Sequence, residues 1–308
     1  MKDILVFGHK NPDTDSIASA ISFANLLNEL GKDAEACALG EASEETKFAL
    51  NTFGVEMPRV IEKASGECKQ VALVDHNEFQ QSISDIKDQE IYSVVDHHKI
   101  ANFQTAGPLF YRAEPIGCTC SIVTKLYEEK NVEIPKDIAG MMLSAIISDT
   151  LLFKSPTSTP EDQEIAKMLA ELAGVDIEEY GLELLKSGAN PDKKSDLEVL
   201  ESDAKSFEFG QDTLRVGQVN IVDLGDISKR KADLINKMDE LIEENGYAAY
   251  MLVATNILES NSIAYVRGEE AEKIAASFDK ELVESEINLP GIVSRKKQVV
   301  PAISEKFD

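Results

Sequence analysis

Four histidines and a set of aspartates are grouped in a way that suits hard-metal chemistry. Three short apolar runs end in them. Ile4–Gly8 leads into His9-Lys-Asn-Pro-Asp13-Thr-Asp15, Val71–Val74 into Asp75-His76, and Tyr92–Val95 into Asp96-His97-His98. Asn-Pro is a turn former, so the first loop can fold His9 back toward Asp13 and Asp15. A further acid, Asp149, lies in the apolar stretch Met141–Phe153. A carboxylate there is costly unless paired or bound to a cation. Carboxylate oxygens with a few imidazoles suit Mn²⁺ and similar ions better than thiolate-seeking zinc. The set exceeds what one ion needs. Two ions roughly 3.5–4 Å apart, sharing a carboxylate, would form a clamp for in-line attack on phosphorus. A single Asp at a strand end is most often a cap, and a single His there a satisfied polar residue. The metal reading rests on every His of the chain standing beside acids at such an end. His76 is the weakest member and reads either as a residue that supports a ligand from behind or as only a polar neighbour.

The elements that must position these residues alternate between strand and helix. The short continuous runs are those of strands buried on both faces. Ser16–Leu30 carries a helical stripe at Ile17, Ala20, Ile21, Ala24 and Leu27, with Asp15 or Ser16 as cap and Gly31 as stop. Polar, helix-compatible segments separate the strand runs, and another helix begins at Thr159-Pro160-Glu161-Asp162 and ends before Gly174. The alternation predicts an α/β, doubly wound domain with a mainly parallel sheet over residues 1–187. Ligands of such sheets bind outside the carboxyl ends of the strands, where the His and Asp residues fall. The polar stretch 188–195 reads as a linker. Beyond it, strand signals at Thr213–Val222, Tyr247–Ile257 and Ile263–Val266 and a helix signal at Ser228–Glu244 predict a smaller α/β domain with a mixed sheet over 196–308.

The 308 residues carry a formal net charge of −25, so nucleic acid and anionic membranes are poor partners. Aromatic residues are 6% of the chain, which argues further against base stacking. There is no signal-peptide pattern and no apolar run of membrane-spanning length, and a cytoplasmic location is expected. Cys118-Thr-Cys120 has no second half of a zinc site, and the four Cys read as small buried thiols. Against this acidic background Ser294-Arg295-Lys296-Lys297 stands out. It reads as a solvated basic face or as a phosphate clamp, Arg offering a planar fork and Lys a point charge.

Taken together, Asp96-His97-His98, His9-x-Asn-Pro-Asp13-x-Asp15, Val74-Asp75-His76-Asn77 and the Ser294-Arg295-Lys296-Lys297 run resemble the family II inorganic pyrophosphatases of the DHH phosphoesterase superfamily, over essentially the whole chain. The resemblance implies that His9, Asp13 and Asp75 hold one Mn²⁺, and that Asp15, Asp75, His97 and Asp149 hold a second, with Asp75 bridging. It implies Co²⁺ as a possible substitute and Mg²⁺ arriving with pyrophosphate. A hydroxide between the two ions would attack phosphorus. His98 would contact substrate and serve proton transfer or charge stabilisation. Lys205, Arg295 and Lys296 would bind the phosphates, and Asp96 would orient a neighbouring His. The resemblance also implies opening and closing of two domains, a homodimer through the N-terminal domain, and no room for a nucleotide-binding insert. The nearest alternative is an exopolyphosphatase or another small phosphoanhydride hydrolase on the same core. A nuclease or cyclic-dinucleotide phosphodiesterase of the superfamily is disfavoured, since the chain has no Gly-Gly pair and no His after His98. A non-catalytic metal or phosphate binder is disfavoured by the complete ligand set.

Overall fold

The computed structural model describes residues 2–189, 194–201, 203–210 and 212–307, the side chains of Lys296 and Lys297 excepted. Its backbone divides into two compact units, Met1–Gly188 and Ala189–Asp308. Residues 190–193, within the stretch expected as linker, lie outside the described residues.

The first unit runs β1 (Lys2–Phe7), α1 (Thr14–Glu29), β2 (Ala34–Ala38), α2 (Glu44–Phe53), β3 (Arg59–Val60), β4 (Cys68–Val74), β5 (Ile91–Asp96), β6 (Phe110–Ala113), α3 (Thr119–Lys130), α4 (Lys136–Thr150), α5 (Pro160–Ala173) and α6 (Ile177–Gly188). Its six strands are all parallel, in the order β3-β2-β1-β4-β5-β6. Ile4 to Phe7 and Val71 to Val74 are fully buried, which accounts for the unbroken apolar runs: a parallel sheet is covered on both faces. The order reverses between β1 and β4, so the crevice at this switch point opens just where β1 leads to His9 and β4 to Asp75.

Helix α1 is capped by Asp13, whose carboxylate accepts from the Ser16 amide. Asp15 therefore lies inside the first turn and is not the expected cap. A Cβ on Gly8 would fall 2.0 Å from the Ser16 Oγ, so only glycine allows β1 and α1 to meet this closely. Between β4 and β5 the helix-compatible segment forms only two single turns of 3₁₀ helix. Helix α5 has the expected boundaries, with Thr159 and Asp162 in a reciprocal capping box and Gly174 left-handed at its end.

The second unit runs α7 (Asp196–Leu200), β7 (Lys205–Phe209), β8 (Asp212–Ile221), α8 (Leu224–Ser228), α9 (Lys231–Asn245), β9 (Ala249–Asn256), β10 (Asn261–Gly268), α10 (Ala271–Ala276), β11 (Glu286–Pro290), a π-helical turn (Arg295–Val299) and α11 (Val300–Phe307). The sheet order is β11-β10-β9-β8-β7. Only β8 and β9 pair in parallel, so the sheet is mixed as expected. Strand β9 sends Met251 and Val253 to one apolar cluster and Tyr250 and Leu252 to the other, so both faces are covered. The helix expected over Ser228–Glu244 is α9, which starts three residues later, at Lys231, because Arg230 holds non-helical geometry behind the short α8 that ends at Ser228. Among the described residues no helix is long and apolar enough to cross a membrane.

Candidate metal centre

The carboxyl ends of β1, β4 and β5, the start of α1 and the last turn of α4 bring together seven of the residues singled out from sequence. His9, Asp13 and Asp75 form one group of possible ligand atoms, and Asp15, His97 and Asp149 another. Asp75 stands at the join. Its Oδ2 lies 3.4 Å from His9 Nε2, and its Oδ1 lies 3.5 Å from His97 Nε2 and 3.6 Å from His98 Nδ1. Asp13 Oδ2 is 3.5 Å from His9 Nε2, and Asp149 Oδ2 is 3.9 Å from His97 Nε2.

The imidazoles are oriented by the backbone. His9 Nδ1 donates to the Lys10 carbonyl at 2.8 Å and His97 Nδ1 to the Ile116 carbonyl at 3.0 Å. A carbonyl can only accept, so each ring keeps a proton on Nδ1 and turns Nε2, the atom a ligand histidine offers to a metal, toward the carboxylates. His98 differs. Its Nδ1 pairs with Asp96 Oδ1 at 3.0 Å, and on this half-exposed ring Nε2 has no hydrogen-bond partner among the described residues. Asp96 also accepts from the His98 amide and from Asn77 Nδ2, the latter at 2.7 Å. It thus orients its neighbour, as expected.

His76 joins no ligand group among the described residues. It is buried, its Nδ1 is tied to the Val74 carbonyl at 2.9 Å, and burial lowers its pKa to about 4.

Charge is concentrated here beyond what the protein itself neutralises. Burial and then the nearby Asp15 carboxylate hold Asp75 well above the usual carboxylate range; burial, Asp15 and Asp75 do the same to Asp149. Burial alone would lower His9, but contact with Asp13 and Asp75 outweighs it and raises the imidazole to about 11. The bond to Asp96 raises His98 to about 9. Asp75 is 1% exposed, its Oδ2 has no hydrogen-bond partner among the described residues beyond the 3.4 Å approach of His9 Nε2, and its φ of 57° is left-handed, at a cost of order 1 kcal/mol. A strained, buried carboxylate, ringed by other carboxylates and by imidazole Nε2 atoms that can give up their protons to a metal, is a donor set that fits divalent cations.

Three contributors were not evident from sequence. The start of α3 donates the Thr119 amide to Asp15 Oδ2 at 2.7 Å and the Cys120 amide to Asp15 Oδ1 at 3.1 Å, so a helix N-terminus supports that buried charge. The Thr119 hydroxyl donates to Asp75 Oδ1 at 2.9 Å. Glu45 Oε1 accepts from the hydroxyls of Thr14, at 2.7 Å, and Ser148, at 2.5 Å, tying the start of α1 to the end of α4. In sequence the Cys118-Thr119-Cys120 segment draws notice only for its thiols, and no local pattern marks Glu45. The thiols are buried as expected, though folding brings them against Asp15. Thr119→Val keeps the shape and the two backbone amides but removes the hydroxyl. We expect manganese affinity to fall about 10- to 100-fold with little change in fold; titration of the metal-stripped variant measures it.

The cations expected from the late sequence lie in the second unit. Lys205 opens β7 with an exposed side chain, opposite Val216 of β8. Arg295 is buried, with Nη2 donating to Asp203 Oδ1 at 2.8 Å and Nη1 to the Val216 carbonyl at 3.4 Å. The side chain of Lys296 lies outside the described residues. A cavity of about 950 Å³ in the first unit, lined by the 102–108 loop, contains none of the clustered His and Asp residues. A smaller one, about 70 Å³, is lined by Asp75, His76, Asn77 and His98 and adjoins the centre.

The fold and site together define a hydrolase-type metal centre at the switch point of a parallel sheet, followed by a separate mixed-sheet unit. Comparison with known proteins agrees: residues 3–146 match the DHH family, N-terminal domain, and residues 182–306 match the DHHA2 domain. A relative named as a probable manganese-dependent inorganic pyrophosphatase of Enterococcus faecalis is 56% identical over 308 residues, covering 100% of both chains. One of the same name from Lactobacillus johnsonii is 54% identical, covering 99% of this chain and 98% of that one. Among solved structures, a Methanococcus jannaschii chain assigned to family II inorganic pyrophosphatases superposes with a TM-score of 0.64 at 38% identity, covering 99% of each. The chain belongs to the manganese-dependent, family II inorganic pyrophosphatases.

Proposed function

We propose that this chain hydrolyses pyrophosphate to two phosphates in a manganese-dependent reaction. The observation that carries the reading is the buried Asp75 carboxylate, its Oδ2 without a hydrogen-bond partner among the described residues, standing between two groups of hard donors. His9, Asp13 and Asp75 would hold one Mn²⁺, and Asp15, Asp75, His97 and Asp149 a second; Co²⁺ would substitute, and Mg²⁺ would accompany the substrate. When bound, such ions lower the pKa of water and neutralise charge building on phosphoryl oxygens.

The chain's own residues do the rest. The Lys10 and Ile116 carbonyls keep His9 and His97 in the ligand tautomer. Asp96 holds His98 with Nε2 free and a raised affinity for a proton, so at neutral pH the ring can place positive charge against a phosphate or deliver a proton to a leaving oxygen. Lys205, Arg295 and Lys296 serve as the phosphate-binding cations, which a substrate anion needs in a chain of net charge −25. The working form is proposed to be a cytoplasmic homodimer joined through the N-terminal domain, acting on neither nucleic acid nor membrane. The domains are proposed as residues 1–187 and 196–308 with 188–195 as linker.

The test is phosphate release from pyrophosphate by metal-stripped protein, with Mn²⁺ or Co²⁺ restored and Mg²⁺ supplied. Fast release that depends on the transition metal is expected, with tripolyphosphate and longer chains cleaved far more slowly. Equal or faster release from the longer chains would replace the reading by an exopolyphosphatase.

A further inference from the structure

Around Val216 the second unit assembles a small charged patch from three separate stretches. Lys205 is registered against Val216 across the β7–β8 pair. The Val216 carbonyl accepts from Arg295 Nη1, and the Arg295 amide is fixed by Gln218 Oε1 at 2.9 Å. The other face of the fork, Nη2, is taken by Asp203 Oδ1 at 2.8 Å. The partners are unequal. The Arg295 side chain is 7% exposed, whereas that of Asp203 is 65% exposed. Asp203 also holds a left-handed backbone, φ 42°, two residues before the strand begins. An L residue adopts that conformation at a cost, and Asp is among those that tolerate it best.

A carboxylate and a phosphate present the same kind of oxygens to a guanidinium. Asp203 offers Arg295 one oxygen, from a side chain that faces water, and such contacts are weak and readily exchanged. We infer that Asp203 is a displaceable counter-anion at Arg295: its carboxylate holds the position of a phosphate until inorganic phosphate or pyrophosphate arrives, and so sets the anion affinity of this unit. The inference rests on the reading of Arg295 as a phosphate-binding residue. Asp203 keeps the buried fork neutralised and extended while no anion is present, at the expense of competing with each anion that binds.

The test uses the full chain loaded with manganese. Asp203→Asn preserves shape and suits the left-handed backbone, but removes the charge. Inorganic phosphate, titrated calorimetrically, is expected to bind about three- to tenfold more tightly to the variant, the scale of a part-exposed ion pair. The KM for pyrophosphate should fall by a similar factor, while kcat stays level or drops as product leaves more slowly. Asp203→Gly, which the backbone also favours, should tighten phosphate in the same direction and guards against an effect of the new amide. Arg295→Lys separates the two layers of the argument. If it leaves phosphate affinity unchanged, Arg295 is not a phosphate ligand, and the reading and the inference fall together. If it weakens phosphate binding while both Asp203 variants bind phosphate equally well or worse than the parent, Asp203 is a structural partner of Arg295 and the inference alone is overturned.

Discussion

Asp75→Asn is expected to lower pyrophosphate hydrolysis by about three orders of magnitude or more, because metal-borne stabilisation is worth several kcal/mol and each ~1.4 kcal/mol is tenfold in rate. The substitution is nearly isosteric, and Asn accepts the left-handed backbone at this position, so the fold has no steric reason to change. What it removes is the carboxylate that faces His9 on one side and His97 on the other. Both ligand groups therefore weaken at once, unlike a change at Asp13 or Asp149, each of which belongs to one group. Stability supplies a second readout with opposite signs. Without metal, Asp75 is a buried carboxylate crowded by Asp15 and pushed above its usual range, so its charge works against folding near neutral pH. The metal-free variant should melt higher than the metal-free parent, by about 2–4 °C for each kcal/mol relieved. Added Mn²⁺ should raise the melting temperature of the parent strongly and of the variant hardly at all. Calorimetric melts of the two proteins, each with and without Mn²⁺, check this, and an unchanged manganese response would remove Asp75 from the join between the groups.

Stripping the metals should have an effect as large, and its pH dependence follows from the protonation of the cluster. In the metal-free chain contact with Asp13 and Asp75 lifts His9 to about 11, so its Nε2 carries a proton at neutral pH, and Asp75 and Asp149 retain protons above their usual range. A cation must displace these protons. Manganese affinity should therefore rise with pH, about tenfold per pH unit for each proton released, between roughly pH 6 and 9. The stability of the metal-free fold runs the other way. His9 and His98 are raised, so their contribution is fully present below their unfolded value of roughly 6.5 and is lost as pH climbs through about 9 for His98 and about 11 for His9. Asp75 and Asp149 are raised acids and begin to weaken the fold once pH passes their unfolded value of roughly 4. The metal-free protein should thus be most stable in mild acid, and the rise in melting temperature on adding Mn²⁺ should grow with pH. Melts across this range with chelator or with Mn²⁺ test both signs; a manganese response independent of pH would mean that no proton is displaced from the site.

Much of this was legible in one dimension because strands and chemistry share an address. A strand buried on both faces must be an unbroken apolar run, and the first polar residue after it marks the carboxyl edge of the sheet, so β1, β4 and β5 announce themselves together with His9, Asp75 and Asp96-His97-His98. The capping signal Thr159-Pro160 likewise acts through neighbours in sequence, and α5 begins and ends as those residues dictate. Where the deciding contact lies far away in sequence, local pattern fell short. Asp15 looked like a helix cap, but the cap is Asp13, and Asp15 turns instead to the amides at the start of α3, more than a hundred residues away. Thr119 and Glu45 are ordinary residues in sequence, and only packing of α1, α3 and α4 on the sheet sets them against the cluster. The helix signal at Ser228–Glu244 becomes α9 with its start moved to Lys231, a boundary set at Arg230 that periodicity does not mark. Arg295 was visible as a cation against an acidic background, but its burial and its pairing with Asp203 depend on a strand and a turn some ninety residues apart. Composition and short-range pattern thus determined which elements form and which residues can ligate. Which oxygens remain without partners, which nitrogens are held for a metal, and which carboxylate occupies the arginine were decided by tertiary packing, because desolvation and hydrogen-bond pairing depend on neighbours in space.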